Sequence, residues 1–294
     1  MARVVIAGAG SLGTALAKRL EGKHEVRLAK AELTSLPSTE IALAGAQTVV
    51  HLSRAASPVA RLPRASTADL DLLIADTLAR ATKLVGATHL IHFASGADDA
   101  RIALLERSGA TLSVIRGGGV EALEEAIDTP GNKDGTPHAP SERDANKPPR
   151  FGTCSVQRYK RPSGWKAIDL ARAYFRWLPS DVPMVRTTEL NGVFTIYTAG
   201  VRTLVLRLVH GRSSEDLAWF EIADGALRAA KQPSDDARLE FRVLLDGTTA
   251  LAAMIDFAPS LPFFIYRFTQ AAMHERVMRR FGDWLSTQTG APPA

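Results

Sequence analysis

Three glycines near the start of the chain have the residue spacing with the clearest chemical meaning. Gly8, Gly10 and Gly13 follow a short β-branched run in VVIAGAGSLG and precede ALAKRL, so G-x-G-x-x-G lies between a predicted strand and a predicted helix. In such a turn the first glycine permits the tight bend, the second makes room for a pyrophosphate, and the third lets the helix pack closely on the strand. The spacing predicts a dinucleotide site, with an ordinary strand–helix turn as the alternative.

The helix that follows the motif supplies a second reason to expect an anion there. Ser11 and Leu12 lie within the motif, between Gly10 and Gly13. Backbone N–H groups at the start of such a helix can bind a phosphate, and the helix dipole favours negative charge at this end. We therefore count both residues, with the three glycines, as candidate cofactor-binding residues.

The choice of dinucleotide depends on charge after the second predicted strand. NAD sites place an acidic residue about 20 residues past the glycines to hold the ribose 2′-hydroxyl. Here the stretch reads RLAKAE, with Arg27 and Lys30 ahead of Glu32. A cation there favours the 2′-phosphate, so NADP is expected over NAD, with Glu32 on the ribose as the alternative. Arg54, in a later loop, is a further phosphate-binding candidate.

Strands and helices alternate through the first part of the chain. Strand-like runs at 24–30, 47–53, 89–95 and 111–117 flank helical patterns at 67–86 and 99–109. This alternation predicts a Rossmann-like α/β domain over residues 1–127, a doubly wound parallel sheet with helices on both faces.

The rest of the chain has a different pattern. Residues 128–150 are dense in Pro, Gly and charged residues, which predicts a polar connection. Residues 151–294 then read as an α+β domain, with a helix at 164–178, an antiparallel sheet and a long C-terminal helix. Three dipeptides favour tight hairpins in this sheet: Asn191-Gly192, Asp224-Gly225 and Asp246-Gly247. This element order resembles the helix-grip architecture of START-like domains, which implies a hydrophobic ligand.

The first two-fifths of the chain resembles the atypical or extended short-chain dehydrogenase/reductase superfamily, the epimerase-like and NmrA-like group. GAGSLG, VVHLS, HLIHFAS and LLERSGATLSVIRGGGV carry the resemblance. It implies that Ser95, after a strand, polarises a substrate oxygen, and that a Tyr activated by a Lys four residues later exchanges a proton. That pair is absent, because the four tyrosines are followed at this distance by Ser163, Leu178, Val201 and Gln270.

Few residues could replace the missing Tyr. His92 and His51 lie in predicted strands near the carboxyl edge, where α/β sheets place ligands. A structural histidine held by a backbone hydrogen bond is the alternative for each. Asp98 and Asp99 follow Ser95, and either carboxylate could serve as a base or cap the next helix. We single out Ser95, His92 and Asp98 as catalytic candidates.

Composition limits the remaining function classes. The 294 residues are 46% hydrophobic and 23% charged, and the net charge of +5 is spread without a basic block, so nucleic-acid binding is not indicated. Cys154 is the only cysteine, which excludes an internal disulfide and a cysteine-rich zinc site, and no metal site is expected. The first strand starts at residue 3 or 4, so we expect no leader. The late apolar stretch contains Asp256, Pro259 and Pro262, so we expect no membrane span. A cytoplasmic protein is the expectation.

Two functions follow from these patterns. One is an NADP(H)- or NAD(H)-dependent oxidoreductase or epimerase-like enzyme that acts on a small organic substrate without the Tyr–Lys pair. The other is a catalytically silent dinucleotide-binding sensor or scaffold whose second domain binds a hydrophobic ligand or a partner. The superfamily is mostly catalytic and Ser95 is retained, which favours the enzyme. A small-molecule substrate or ligand is the expected partner, and a homodimer is left open.

Overall fold

The chain forms two compact units. The computed structural model describes residues 1–8, 10–29, 33–52, 67–94, 98–130, 133–134, 153–229, 237–260 and 270–292. The first unit consists of Met1–Ser57 with Leu70–Lys147, and the second of Pro58–Asp69 with Pro148–Ala294.

The first unit is built on a parallel sheet. Among the described residues its strands are β1 (Arg3–Ala7), β2 (Glu25–Ala29), β3 (Thr48–His51), β4 (His89–Phe93), β5 (Thr111–Arg116) and β6 (Lys133–Asp134). Its helices are α1 (Ser11–Leu20), α2 (Leu36–Leu43), α3 (Thr67–Leu84), α4 (Asp99–Leu105) and α5 (Gly119–Asp128). The strand order is β2-β1-β3-β4-β5-β6, and every pair is parallel. The order reverses beside β1, which confirms the predicted doubly wound, Rossmann-like sheet.

One face of this sheet is covered by α1 and α5. Alternate strand residues, among them Val4, Ile6, Val50 and Ile91, are fully buried with the apolar residues of these two helices. Because successive side chains of a strand point to opposite faces, the strand-end histidines His51 and His92 project to the other face. The alternation along each strand therefore sets the face of the sheet that each histidine occupies, and the register of β3 and β4 places the two histidines side by side.

The second unit is an antiparallel sheet with helices. Its elements are β7 (Thr153–Lys160), α6 (Ala167–Asp181), β8 (Val185–Leu190), β9 (Val193–Thr198), β10 (Val201–Leu208), β11 (Leu217–Asp224), β12 (Arg238–Val243), β13 (Thr249–Phe257) and α7 (Gln270–Ser286). The strand order is β7-β13-β12-β11-β10-β9-β8. The predicted antiparallel sheet with a C-terminal helix is therefore confirmed.

Aromatic side chains fill the core between this sheet and its helices. Phe175 stacks on Phe194 with ring centroids 4.5 Å apart, and Tyr174 meets Phe281 edge to face at 5.2 Å. Phe220 and Phe241 join the same buried cluster. These rings pack against one another, as in a protein interior.

The three predicted hairpin dipeptides have different outcomes. Asn191 and Gly192, with φ of 51° and 75°, join β8 to β9 as the expected two-residue turn. Asp224-Gly225 does not form a tight hairpin, because β12 begins only at Arg238. A Cβ on Gly225 would lie 2.4 Å from the Thr203 carbonyl oxygen, so this glycine permits a close backbone approach.

The third dipeptide lies in a longer loop between β12 and β13. An Asp246 carboxylate oxygen accepts hydrogen bonds from the backbone N–H groups of Thr248 and Thr249, both at 2.8 Å. Gly247 has a φ of 73°. The side chain of Asp246 therefore shapes this loop in place of a two-residue turn.

Two helices of the first unit were not predicted from the sequence. The Ser35 hydroxyl caps α2 by accepting a hydrogen bond from the Ser38 N–H, with Pro37 in the first turn. At the start of α5, the two preceding residues Gly117 and Gly118 and the first residue Gly119 all have positive φ. The polar stretch 128–150 contributes β6, and residues 135–150 lie outside the described residues.

Candidate active site at the carboxyl edge of the parallel sheet

The glycine turn lies where the strand order of the first unit reverses. Gly8 follows β1 with a φ of 112°, a backbone conformation that favours glycine. A Cβ on Gly13 would lie 2.6 Å from the Gly8 carbonyl oxygen and 3.4 Å from a Leu52 methyl group. Gly13 therefore lets α1 lie directly against the end of β1, which is the packing role that the motif predicts.

Gly10 differs from Gly8 and Gly13, because nothing in its own backbone requires glycine. It precedes α1 with φ −91° and ψ −172°, values that any residue can adopt. It makes no side-chain cap, and the first turn of α1 contains no acidic residue. The glycine motif assigns to this middle position the close approach of a pyrophosphate, which a side chain would block.

Two buried histidines meet at the same edge of the sheet. His51 ends β3 and pairs in register with His92 of β4, and Ala7 of β1 lies on the other side of His51. The two Nδ1 atoms are 3.1 Å apart, within hydrogen-bond distance, and the rings are stacked with centroids 5.0 Å apart. Each residue is 1% exposed. The register of β3 and β4 therefore creates the pair.

A carboxylate and a guanidinium extend this pair. Nε2 of His92 lies 3.2 Å from a carboxylate oxygen of Asp98. Arg101, one turn along α4, donates to the other oxygen of Asp98. Arg101 also lies 3.6 Å from a carboxylate oxygen of Asp71 on α3. We call this connected set, His51, His92, Asp98, Arg101 and Asp71, the histidine network.

Both rings of the histidine network are neutral at physiological pH. Burial, followed by the charges of Arg101 and Arg116, lowers the pKa of His92 to about 3. Burial lowers the pKa of His51 well below its ordinary value, and His92 and Arg101 add to this effect. The rings therefore act as uncharged donors and acceptors.

One nitrogen of the histidine network is left over. Nε2 of His51 is buried and has no hydrogen-bond partner among the described residues. A buried polar atom without a partner costs roughly 1–3 kcal/mol, and such atoms are rare in native structures. This atom, at the strand reversal, is the strongest local indication of a ligand in the first unit.

The catalytic candidates from the sequence have different outcomes. The structure brings His92 and Asp98 into direct contact. Asp98 stands at the N-cap position of α4 but makes no capping hydrogen bond, because its carboxylate pairs with His92 and Arg101. Neither histidine ring is held by a backbone hydrogen bond among the contacts described. Ser95 lies outside the described residues.

The cofactor-binding candidates divide in the same way. Gly8, Gly10, Ser11, Leu12 and Gly13 form the turn and the first turn of α1, whereas Lys30 and Arg54 lie outside the described residues. Arg27 donates to the carbonyl oxygens of Ala42 and Ala44 at the end of α2, at 2.6 and 3.0 Å. The guanidinium of Arg27 therefore caps the C-terminal end of α2. The expectation of NADP then depends on Lys30 and Arg54.

Tyr159 has a structural environment in the second unit. Its hydroxyl donates to the Met278 carbonyl oxygen at 3.2 Å, and burial raises its pKa well above the ordinary value. A tyrosine serves as an acid or base near neutral pH only when its pKa is lowered. Tyr159 therefore does not replace the missing Tyr of the Tyr–Lys pair.

Sequence reasoning did not single out Arg101 and Asp71. The spacing of Asp98 and Arg101, three residues apart at the start of a predicted helix, is a signal that could have found the first. Asp71 lies on a different helix, and only the tertiary structure brings it to Arg101.

The described residues offer neither a metal-binding cluster nor a membrane-spanning helix. They contain no group of three or more His, Cys, Asp or Glu side chains arranged to hold a metal ion. Within the same residues, every helix is too short or too polar to cross a bilayer.

The comparisons with known proteins concern mainly the first unit. No family model and no curated protein matches the sequence. Among solved structures, a UDP-N-acetylglucosamine 4-epimerase from Bacillus cereus is similar over 40% of this chain and 53% of its own, with 12% identity and a TM-score of 0.30. The Bordetella bronchiseptica enzyme WbmG, in complex with NAD, is similar over 39% of this chain and 52% of its own, with 16% identity and a TM-score of 0.34.

A third structure is matched over nearly its whole length. A Rossmann-fold NAD(P)-binding family protein from Shigella flexneri is similar over 48% of this chain and 98% of its own, with 15% identity and a TM-score of 0.35. The chain thus spans only about half the length of the epimerase and of WbmG.

Proposed function

We propose that the first unit binds a nicotinamide dinucleotide and that the protein is an oxidoreductase or epimerase-like enzyme acting on a small organic substrate. The observation that carries this proposal is the glycine turn at the strand reversal of a parallel sheet, directly beside the histidine network. Open α/β sheets bind ligands at this place, outside the carboxyl ends of the strands.

The described residues fit a dinucleotide in two respects. Gly10 supplies no side-chain cap to α1, and a helix N-terminus that follows such a glycine turn is a typical phosphate site. The unpartnered Nε2 of His51 is a polar atom with no protein partner among the described residues at the same edge. NADP in preference to NAD is part of the proposal, supported by the cation Lys30 in sequence.

Each group would have a distinct task. The nicotinamide, when bound, supplies the hydride acceptor or donor. Gly8, Gly10 and Gly13 shape the turn that would hold the phosphates, and Ser95 would orient a substrate oxygen. Because both rings of the histidine network are neutral, they would accept or donate hydrogen bonds without adding charge to the site.

A silent dinucleotide-binding sensor is the second candidate, and the tyrosines favour it. The Tyr–Lys pair is absent, and Tyr159 is bound to a backbone carbonyl. An enzyme needs a different proton acceptor, whereas a sensor needs none. Turnover of a screened carbonyl substrate, followed by the oxidation of NADPH, would distinguish the two.

The test of the proposal is calorimetric titration of the whole chain with NADPH and with NADH, after removal of any nucleotide that copurifies. We expect saturable binding that is tighter for NADPH. Gly10→Val should abolish it. The backbone at Gly10 accepts any residue, whereas the motif needs a position without a side chain there for the pyrophosphate to approach.

Gly211→Ala is the matched control for this substitution. A Cβ at Gly211 meets nothing within 4 Å, so this variant should bind NADPH like the original protein. Unaltered binding by Gly10→Val, or no binding of either dinucleotide by the original protein, would refute the proposed site.

A further inference from the structure

The hydrogen bonds of the histidine network have a defined direction. Asp98 pairs with the Arg101 guanidinium, so its carboxylate is ionised and can only accept. Nε2 of His92 must then carry the proton between them, at 3.2 Å from the carboxylate. Because the His92 ring is neutral, its Nδ1 carries a lone pair.

The same reasoning fixes the proton of His51. Nδ1 of His51 lies 3.1 Å from the Nδ1 lone pair of His92, so it must donate its proton there. In a neutral ring the other nitrogen, Nε2, is then unprotonated. This is the buried nitrogen that has no partner among the described residues. The chain of bonds therefore ends in a lone pair at the strand reversal.

We propose that Asp98, His92 and His51 form a proton relay, in which Nε2 of His51 accepts the proton of a ligand hydroxyl and Asp98 finally receives it. His51 is the residue that would touch the ligand, and His92 and Asp98 are positioning residues that act through it. The relay would take the place of the absent Tyr–Lys pair, and in this use it rests on the proposed function.

The proton path balances in three transfers. The ligand O–H proton moves to Nε2 of His51, the Nδ1 proton of His51 moves to Nδ1 of His92, and the Nε2 proton of His92 moves to Asp98. Both rings end neutral with their tautomers exchanged, and Asp98 becomes a carboxylic acid. In an alcohol oxidation the two electrons leave as a hydride to the oxidised nicotinamide dinucleotide of the proposed function.

The charges around the relay disfavour a proton that stops on His92. A transfer that stopped at His92 would create an imidazolium beside Arg101 and Arg116, which the lowered pKa of His92 disfavours. When Asp98 is neutralised, Arg101 still has the carboxylate of Asp71 at 3.6 Å. The guanidinium therefore keeps a counter-charge in both states.

The test reads the tautomers directly, by ¹⁵N NMR of the imidazoles in the ligand-free whole chain. At pH 7 we expect His92 to be protonated at Nε2 and His51 at Nδ1. Because hydrogen bonds to charged groups are strong, each preferred tautomer should exceed the other more than about tenfold. Asp98→Asn should remove this preference at both rings, including His51, which Asp98 does not touch.

Ser113→Ala is the matched control. It removes the hydroxyl that lies 2.9 Å from Nε2 of His89, a third histidine on the same strands, and should alter His89 alone. A proton on Nε2 of His51 in the original protein would overturn the relay, and this reading decides even if Asp98→Asn does not fold. Unchanged tautomers at His51 in a folded Asp98→Asn variant would overturn it as well.

Calorimetry with NADPH separates the relay from the proposed function. Binding of NADPH together with a protonated Nε2 of His51 would reject the relay and leave the dinucleotide site. The expected tautomers without any binding of NADPH would reject the dinucleotide site and support the relay as a proton-accepting site for a different ligand.

Discussion

His92 contributes to the pH dependence of stability because it titrates differently in the folded and unfolded chain. Its pKa is about 3 when folded and near 6.5 when unfolded, so only the unfolded state takes up a proton between these values. Stability of the first unit should therefore fall below pH 6.5, by about 1.4 kcal/mol per pH unit for each such ring, and stay level above it. His51 acts in the same direction.

Hydrogen exchange of β3 and β4, corrected for the intrinsic exchange rate at each pH, measures this dependence. The four tryptophans all lie in the second unit, so their fluorescence would not report it. In His92→Gln one titrating ring is gone, and the slope between pH 6 and 4 should be shallower. An equal slope in that variant would show that His92 does not cause it.

Glu240 holds two buried arginines together on β12. It accepts from Arg238 at 2.5 Å and from Arg242 at 2.8 Å, and all three side chains are fully buried. Burial alone would raise the pKa of Glu240, but the two arginines outweigh it and the pKa is lowered. Glu240→Gln leaves the buried cations without this counter-charge, and we expect a loss of about 3–5 kcal/mol in urea unfolding followed by tryptophan fluorescence.

The exposed pair of Lys166 and Glu215 is the comparison for Glu240. The side chain of Glu215 is 77% exposed, so water screens its ion pair with Lys166. Glu215→Gln should therefore barely change the unfolding midpoint. If Glu240→Gln were equally mild, the buried charges would not depend on one another.

At the scale of elements, Gly13 sets the distance between α1 and β1. A Cβ there meets the Gly8 carbonyl, which is backbone and cannot rotate away, so Gly13→Ala must displace the helix. We expect a loss of about 1–3 kcal/mol, typical of overpacking, seen as faster hydrogen exchange in α1. Gly211→Ala, made in open space, should leave exchange unchanged everywhere, and normal protection of α1 in Gly13→Ala would contradict this account.

The two-residue hairpins of the second unit allow a reciprocal exchange. Asn191 and Ala199 each occupy the first position of such a turn with a φ of 51°, and glycine follows both. Asn tolerates this left-handed conformation better than Ala. Ala199→Asn should stabilise the second unit by about 0.5–1 kcal/mol and Asn191→Ala should destabilise it similarly, in urea unfolding. Changes of the same sign in both variants would exclude the turn conformation as the cause.

The features that could be predicted from the sequence are those set within one short segment of the chain. Gly8, Gly10 and Gly13 act within one strand–turn–helix segment, so their spacing alone was informative. Asn191-Gly192 was also correct, because both φ values belong to the dipeptide itself. The function of Gly225 could not be predicted, since it depends on contact with the distant Thr203. The same is true of the histidine network, which needs the register of β3 and β4.

The two units have separate hydrophobic cores with no residue in common. Val4, Ile6 and their partners belong to the first unit, and the aromatic cluster around Phe175 belongs to the second. A ligand stabilises the cooperative folding unit that binds it. Because the two cores are separate, we expect a dinucleotide in the first unit to protect that core and not the aromatic one.

NADPH at a hundredfold excess over its Kd should therefore stabilise the first unit by about 2.7 kcal/mol. Slower hydrogen exchange in β1, α1 and β3 would show this, while the urea transition followed by tryptophan fluorescence should not move. That fluorescence reports only the second unit, because all four tryptophans lie there. A shift of the fluorescence transition with NADPH would mean that the dinucleotide also stabilises the second unit, and a glycine turn in the first unit alone could not explain such binding.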